Sequence, residues 1–171
     1  MIRSRWMAAF ALAGALLAPA LAMAETSIVY VTRHAEKGAE GKDPSLTPQG
    51  QARARTLAVM LQKAGIRNIF STTTQRTQQT AQPLAAQAGV PVQLYDGAKP
   101  SLVIDKIKAA SGPTLLVGHS NTVPDLVKML GGAPGTPIGD DEFDRLYEVI
   151  THADGTVTTI LLTSPTPPLN P

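Results

Sequence analysis

Short apolar runs typical of buried strands alternate with helical segments along most of this chain, and this alternation is the feature that most limits its fold. Residues 28–31 and 114–117 are short apolar runs of the length found in buried strands. Between them, Thr47-Pro48 is a typical helix start, and residues 54–61 carry apolar side chains at helical spacing. Strands that alternate with helices form a largely parallel sheet with helices on both faces.

The same signals continue to the end of the apolar pattern. Further strands are predicted at 68–70, 90–95, 146–151 and 157–162, and further helices at 75–88, 102–110 and 121–130. Pro83 predicts a kink or a late start in the second helix. Asp154-Gly155 predicts a hairpin between the last two strands, because both residues tolerate positive φ. We therefore expect a three-layer α/β/α sandwich whose sheet is mostly parallel with an antiparallel edge.

The first 24 residues have the pattern of an export signal. Arg3 and Arg5 precede an Ala/Leu-rich run, and Ala22-Met23-Ala24 has the small residues of a cleavage site. The alternative is an uncleaved anchor, but the run is near the minimum for a ~30 Å membrane core and Pro19 interrupts its end. The two arginines are not adjacent, so a twin-arginine route is not indicated. We expect cleavage after Ala24 and a periplasmic or secreted bacterial protein.

After cleavage, residues 25–163 would form the folded domain, followed by a tail at 164–171 that contains four prolines. The 171-residue chain has 15 basic and 13 acidic residues, and loss of Arg3 and Arg5 leaves 13 of each. A net charge of zero gives no support for binding to nucleic acid, and we expect no stable membrane insertion after cleavage. The absence of cysteine excludes disulfides, thiolate metal sites and a cysteine nucleophile.

Polar residues follow three of the predicted strands at the point where each strand ends. Arg33 and His34 follow the first strand, Arg76 follows the second, and His119 follows the strand at 114–117. Parallel strands present their carboxyl ends at one edge of a sheet, so these side chains should meet there. Two guanidinium groups beside two imidazoles are compatible when an anion lies between them, and phosphate suits a planar guanidinium.

Two kinds of chemistry fit these residues. With no cysteine and no Gly-x-Ser-x-Gly motif, the nucleophile is a histidine or an activated water. A neutral imidazole can attack phosphorus while the arginines stabilise charge on the phosphoryl oxygens. Alternatively, His34, His119, Glu36 and Asp43 supply ligands suited to zinc. The fixed charge of Arg33 beside His34 disfavours that metal site.

Residues 32–36 (Thr-Arg-His-Ala-Glu) resemble the Arg-His-Gly signature of the histidine phosphatase (phosphoglycerate mutase-like) superfamily. The resemblance continues in 46–50, 71–81 and 117–121, in the family's order. It implies a Rossmann-like sandwich and phosphotransfer through a phosphohistidine, with neither metal nor cofactor. By this resemblance His34 is the nucleophile, while Arg33, Arg76 and His119 bind the phosphoryl group. His119 would also donate to the transition state.

The sequence departs from the family pattern in two places. Ala35 replaces the glycine that follows the histidine, which the backbone accepts if φ is negative. The family's larger members carry a carboxylic general acid on an insertion between the second and third motifs. Here the interval between Arg76 and His119 is short and has only Asp96 and Asp105 as acids. Asp96 after the third strand and Glu36 near the nucleophile are the candidate proton donors.

These observations predict an exported, metal-independent phosphatase that hydrolyses a phosphomonoester or another phosphorylated group through His34. Its substrate would be a phosphorylated small molecule or a phosphoprotein. The first alternative is a non-catalytic phosphate- or anion-binding module of the same fold, because the general acid is not evident. The second is a metal-dependent hydrolase that uses the two histidines.

Overall fold

The structure, a computed structural model, describes residues 26–165, so the predicted signal segment and residues 166–171 of the tail lie outside the described residues. Ten elements follow in the order expected from the sequence. The strands are β1 (Ser27–Arg33), β2 (Asn68–Ser71), β3 (Val92–Leu94), β4 (Thr114–Gly118), β5 (Arg145–Thr151) and β6 (Val157–Thr163). The helices are α1 (Pro48–Met60), α2 (Gln75–Ala88), α3 (Pro100–Ala109) and α4 (Val123–Met129).

The six strands form one mixed sheet in the order β3-β2-β4-β1-β5-β6. β1 pairs with β4 in parallel, as β2 does with both β4 and β3, whereas β5 and β6 add an antiparallel edge. In the β1–β4 register Arg33 lies opposite Gly118, so these two strands end side by side. The predicted α/β architecture with a mostly parallel sheet and an antiparallel edge is confirmed.

Helices cover both faces of the sheet because side chains alternate along each strand. Val29 and Val31 of β1 pack into a cluster with buried residues of α3 and α4. Tyr30, between them in the sequence, packs on the opposite face with buried residues of α1 and α2. Two apolar clusters, one on each face, therefore hold the sheet, and the carboxyl edge of the parallel strands is left for polar residues.

The first two helices begin where the sequence predicts. The Thr47 hydroxyl accepts a hydrogen bond from the Gly50 amide (3.1 Å) and caps α1, which has Pro48 at its first turn. α2 begins at Gln75 and continues through Pro83, so the late start considered from the sequence does not occur. Gly89, with φ of 66°, ends α2 in the left-handed region.

The later elements differ from expectation in detail. α4 has seven residues and begins at Val123, because the Thr122 hydroxyl accepts from the His119 amide and closes a turn before the helix. The β5–β6 hairpin forms as predicted, but of the two turn residues only Gly155 has a positive φ, at 83°. No helix within residues 26–165 is long and apolar enough to cross a membrane.

Candidate active site

Two imidazoles meet at the carboxyl edge of the parallel strands. The His34 amide donates to the Gly118 carbonyl at 2.9 Å, so pairing between the ends of β1 and β4 extends one residue beyond β1. This register brings the rings of His34 and His119 to a centroid distance of 5.4 Å, with 66° between their planes. His34 is buried, with 3% of its surface exposed, whereas His119 is half-buried.

The protonation of His34 follows from its contacts. Its Nδ1 lies 2.8 Å from the Ala35 carbonyl oxygen, and a carbonyl only accepts, so Nδ1 carries the hydrogen and Nε2 has a free lone pair. The pKa of His34 is lowered from 6.5 to about 4, mainly by burial, and the nearby charges of Arg33 and Arg76 contribute to this shift. At neutral pH this side chain is an uncharged imidazole with one nucleophilic nitrogen.

The two edges of the Arg33 guanidinium differ in their hydrogen bonding. Its Nη1 donates to the carbonyls of Gly139, Asp140 and Glu142 at 2.7, 2.9 and 2.9 Å, and its guanidinium lies 4.1 Å from the Phe143 ring centroid. Its Nε is buried and has no hydrogen-bond partner among residues 26–165. An unsatisfied buried donor is costly, so this edge of the guanidinium is suited to an anionic ligand.

Arg76 shows the same feature from the first turn of α2. Its Nη1 lies 3.4 Å from the Asp43 carboxylate, which also accepts from the Gln75 amide at 3.0 and 3.1 Å. Like that of Arg33, the Nε of Arg76 is buried without a hydrogen-bond partner in the part of the chain that the structure describes. Arg33 is the neighbour of His34 in the chain, and the charge of each arginine contributes to the lowered pKa of His34. A phosphate oxygen would satisfy each of these donors.

His119 is held from the β2–α2 loop. Its Nε2 lies 3.0 Å from the Thr72 hydroxyl. Burial lowers the pKa of His119, and the charges of Arg76 and Arg33 add to this, whereas Asp43 opposes it. Two neutral imidazoles can therefore lie beside two arginines without charge repulsion, and a bound anion would neutralise the positive charge of the arginines.

The two candidate proton donors lie in other interactions. Glu36 forms an ion pair with the buried Arg53, whose Nη2 and Nε donate to it at 2.7 and 2.9 Å. Asp96 is exposed, and its carboxylate accepts from the Ala98 amide at 2.9 Å. Neither carboxylate makes a hydrogen bond to an imidazole of the site within the described chain.

The zinc set considered from the sequence is not assembled. Among residues 26–165, no group of three His, Asp or Glu side chains is placed to hold a metal ion. Glu36 turns to Arg53, and Asp43 turns to Gln75 and Arg76. The residues that remain near the two imidazoles are arginines, which disfavour a divalent cation.

Sequence reasoning did not identify two parts of this site. Phe143 lies with its ring centroid 6.1 Å from that of His34, and its loop supplies the carbonyls that hold Arg33. Thr72 contacts His119 directly. A single aromatic residue inside the acidic run 140–144 was the available signal for Phe143. For Thr72 the position after β2 was a signal, but four hydroxyl residues in succession gave no means of choosing among them.

A family match covers the segment that carries three of these residues. The family described as histidine phosphatase superfamily (branch 1) matches residues 29–99, which include Arg33, His34 and Arg76. A comparison with curated protein sequences gives no match. The matched segment makes up less than half of the 171-residue chain and ends before His119.

Similar folds occur among solved structures. The protein histidine phosphatase SixA, complexed with tungstate, has a TM-score of 0.64 at 21% identity, over 80% of this chain and 96% of that one. A mycobacterial glucosyl-3-phosphoglycerate phosphatase has 0.63 at 13% identity, over 81% of this chain and 98% of that one. A phosphoserine phosphatase from Entamoeba histolytica has 0.62 at 16% identity, over 81% and 98%. At these identities the similarity shows a shared fold.

Proposed function

We propose that this chain is a metal-independent phosphatase of the histidine phosphatase superfamily that acts through a phosphohistidine on His34. One observation carries the proposal. A buried, neutral imidazole with its Nε2 lone pair free lies beside two arginines whose buried Nε donors have no partner within the described residues. This is the arrangement needed by a nucleophile that attacks a phosphoryl group held by two cations.

The reaction has two displacements. In the first, His34 Nε2 attacks phosphorus, the bond from phosphorus to the leaving atom breaks, and its electron pair departs with the leaving group. Arg33 and Arg76 stabilise the charge on the three equatorial oxygens. In the second, water attacks the phosphorus, the phosphorus–nitrogen bond breaks and its electron pair returns to Nε2. We assign to His119 the role of accepting the proton of this water, because its lowered pKa favours the neutral ring.

The carboxylates near the site favour particular substrates. Glu36 accepts from Arg53, and Asp96 accepts from the Ala98 amide. Asp43 accepts from the Gln75 amide and pairs with Arg76. The site therefore suits a substrate whose leaving group departs without a proton from a carboxylic acid, such as a phosphorylated nitrogen or an aryl phosphate. The name of one similar structure, protein histidine phosphatase, supports phosphorylated imidazole as a candidate. A phosphorylated small molecule or a phosphoprotein both satisfy this chemistry.

Hydrolysis of para-nitrophenyl phosphate in EDTA tests the proposal. We expect turnover by the wild-type protein and by His152→Ala, because His152 follows β5 at the opposite end of the sheet from His34. His34→Ala should lose it. In the absence of a carboxylic donor, kcat/KM for glycerol phosphate should be lower by about 100-fold or more. Wild-type turnover that EDTA abolishes would contradict the metal-free mechanism, and no turnover on any substrate would favour the anion-binding module.

We also propose that the protein is exported to the periplasm or secreted after cleavage at Ala24. The charged start, apolar run and small-residue site of residues 1–24 support this. Mass spectrometry of the protein recovered from a bacterial periplasmic fraction should give a chain that begins at Glu25. A full-length chain found in the cytoplasmic or membrane fraction would overturn it.

A further inference from the structure

A group of three threonine hydroxyls leads away from His119. We call Thr72, Thr74 and Thr77 the hydroxyl chain. Thr72 Oγ1 lies 3.0 Å from His119 Nε2 and 2.8 Å from Thr77 Oγ1, and Thr74 Oγ1 lies 2.9 Å from Thr77 Oγ1. Thr72 and Thr77 are 4% and 0% exposed, so water does not compete freely for these contacts. The two displacements at phosphorus give this hydroxyl chain no role.

The direction of its hydrogen bonds follows from its far end. Thr77 Oγ1 lies 2.9 Å from the Thr74 carbonyl oxygen and 3.2 Å from that of Thr72. A carbonyl only accepts, so Thr77 donates its single proton there and accepts from the other hydroxyls. Thr72 then donates to Thr77, and its lone pair is presented to His119. In this arrangement the nitrogen that meets this lone pair, Nε2, carries the hydrogen of the ring.

We propose that Thr72 is a positioning residue that holds the hydrogen of His119 on Nε2. This leaves Nδ1 as the ring atom that takes up and releases a proton. The inference rests on the proposed function only for its catalytic meaning, since the position of the hydrogen is a property of the protein without substrate. Without Thr72, neutral His119 would be a mixture of two tautomers. Only the tautomer with its hydrogen on Nε2 can take up a proton at Nδ1, so the mixture would lower kcat rather than substrate binding.

The surroundings of His119 also define a pH effect. His34 and Arg33 face it from the end of β1, Arg76 from α2, and the Asp43 carboxylate from the β1–α1 loop. The arginines favour the neutral ring of His119. Thr72 favours the imidazolium because its hydroxyl accepts a hydrogen bond from the ring, and Asp43 favours it through its negative charge. Removal of the Thr72 hydroxyl should therefore shift the protonation of His119 to lower pH.

Nitrogen-15 NMR of the imidazoles tests the inference without reference to activity. The chain has three histidines, so His34→Ala and His152→Ala suffice to assign the signals of His119. In the wild-type protein we expect a protonated Nε2 and an unprotonated Nδ1. Thr72→Val and Thr77→Val should each give a mixture of tautomers, and Thr72→Ser should restore the wild-type pattern. Thr158→Val is the matched control, because Thr158 makes the same contact with the Nε2 of His152, away from the candidate site, at 2.9 Å.

Kinetics provide the second measurement. Thr72→Val should lower kcat on para-nitrophenyl phosphate by between about 10- and 100-fold, which is part of what a positioned acid–base group contributes, with KM within about 2-fold. Thr72→Ser should recover most of the rate, and Thr158→Val should retain it. A wild-type His119 protonated on Nδ1, or an unchanged tautomer in Thr72→Val, would overturn the inference. If His34→Ala is as active as wild type, the proposed function fails while the NMR result still decides this point.

Discussion

At the scale of single residues, burial determines what the two imidazoles can do. An exposed imidazole beside two arginines would be an ordinary surface group, whereas His34 at 3% exposure has its pKa lowered to about 4. Among residues 26–165, the buried Nε atoms of Arg33 and Arg76 have no hydrogen-bond partner. A phosphoryl group would satisfy these two donors and neutralise two cations, and both effects favour its binding.

The lowered pKa of His34 predicts a pH dependence of stability. In the unfolded chain a histidine takes up a proton near pH 6.5, whereas folded His34 does so only near 4. Above pH 6.5 His34 is neutral in both the folded and the unfolded state. Between these values the unfolded state binds the extra proton, so the free energy of unfolding should fall as pH decreases, by a total of about 3 kcal/mol. His119, whose pKa is also lowered, adds to the same trend.

Urea unfolding of wild type and His34→Gln, at about pH 7.5 and about pH 4.5, measures this contribution. Glutamine does not titrate, so the difference between wild type and variant should shift in favour of the variant at the lower pH. Equal shifts for both proteins would show that His34 does not contribute to the pH dependence.

At the scale of secondary structure, the position of α1 depends on Gly50, which packs against the backbone of Glu36 in the segment that follows β1. The Glu36 carbonyl accepts from the Thr47 amide at 2.9 Å, and a Cβ atom on Gly50 would lie 2.1 Å from that same carbonyl oxygen. Gly50→Ala must therefore displace either α1 or the segment that follows His34. We expect it to lower the free energy of unfolding by about 1–3 kcal/mol, as overpacking does.

Thermal and urea unfolding test this prediction, with Gln51→Ala as the control. Gln51 is the next residue of α1 and is exposed, so its replacement should change stability by less than about 0.5 kcal/mol. Equal stabilities for the two variants would show that α1 does not pack against residue 36 as described.

Elements with a local signal were the ones that the sequence could predict. Thr47-Pro48 determines the start of α1 and Gly89 the end of α2, and both lie where the pattern places them. The start of α4 was not predictable, because it depends on the turn that Thr122 makes with the amide of His119. The conformation of the loop after α4 depends on distant residues, since Arg33 and Arg145 bind its carbonyls.

The site was predictable to the same degree. Strand ends were sufficient to place the two histidines and the two arginines at one edge, because parallel pairing determines where strand ends meet. The partners of Glu36 were not predictable, because Arg53 approaches it from α1 in the folded chain. A sequence pattern shows that a carboxylate is near the nucleophile in the chain, but not which way it turns.

At the scale of the whole molecule, Arg53 joins three distant segments. From the interior of α1, with 4% exposure, it pairs with Glu36 after β1 and donates from Nη1 to the Ser164 hydroxyl at 2.8 Å. The Ser164 amide also donates to the Asp144 carbonyl at 2.8 Å. Ser164, the first residue of the predicted tail, is thus buried against the fold. The ion pair connects the end of the described chain to the segment that carries the proposed nucleophile.

Glu36→Gln separates this structural role from a role as proton donor. It leaves the Arg53 charge buried and unpaired, so we expect a loss of about 3–5 kcal/mol in the free energy of unfolding. At a temperature where the variant is fully folded, its kcat on para-nitrophenyl phosphate should stay within about 2-fold of wild type, since a lost general acid would cost about 100-fold or more. Glu40→Gln, at an exposed position nearby, should change neither quantity. A large loss of kcat with unchanged stability would identify Glu36 as the proton donor.

Trapping of the covalent intermediate tests most directly the claim that His34 carries the phosphoryl group. The protein is mixed with para-nitrophenyl phosphate, quenched within the first turnovers in alkali, which preserves phosphohistidine, and digested for mass spectrometry. We expect one added phosphoryl group on the peptide that contains His34, located on that residue by fragmentation, and none in His34→Gln. Turnover without any phosphorylated peptide, or a phosphoryl group located on His119 instead, would contradict the mechanism.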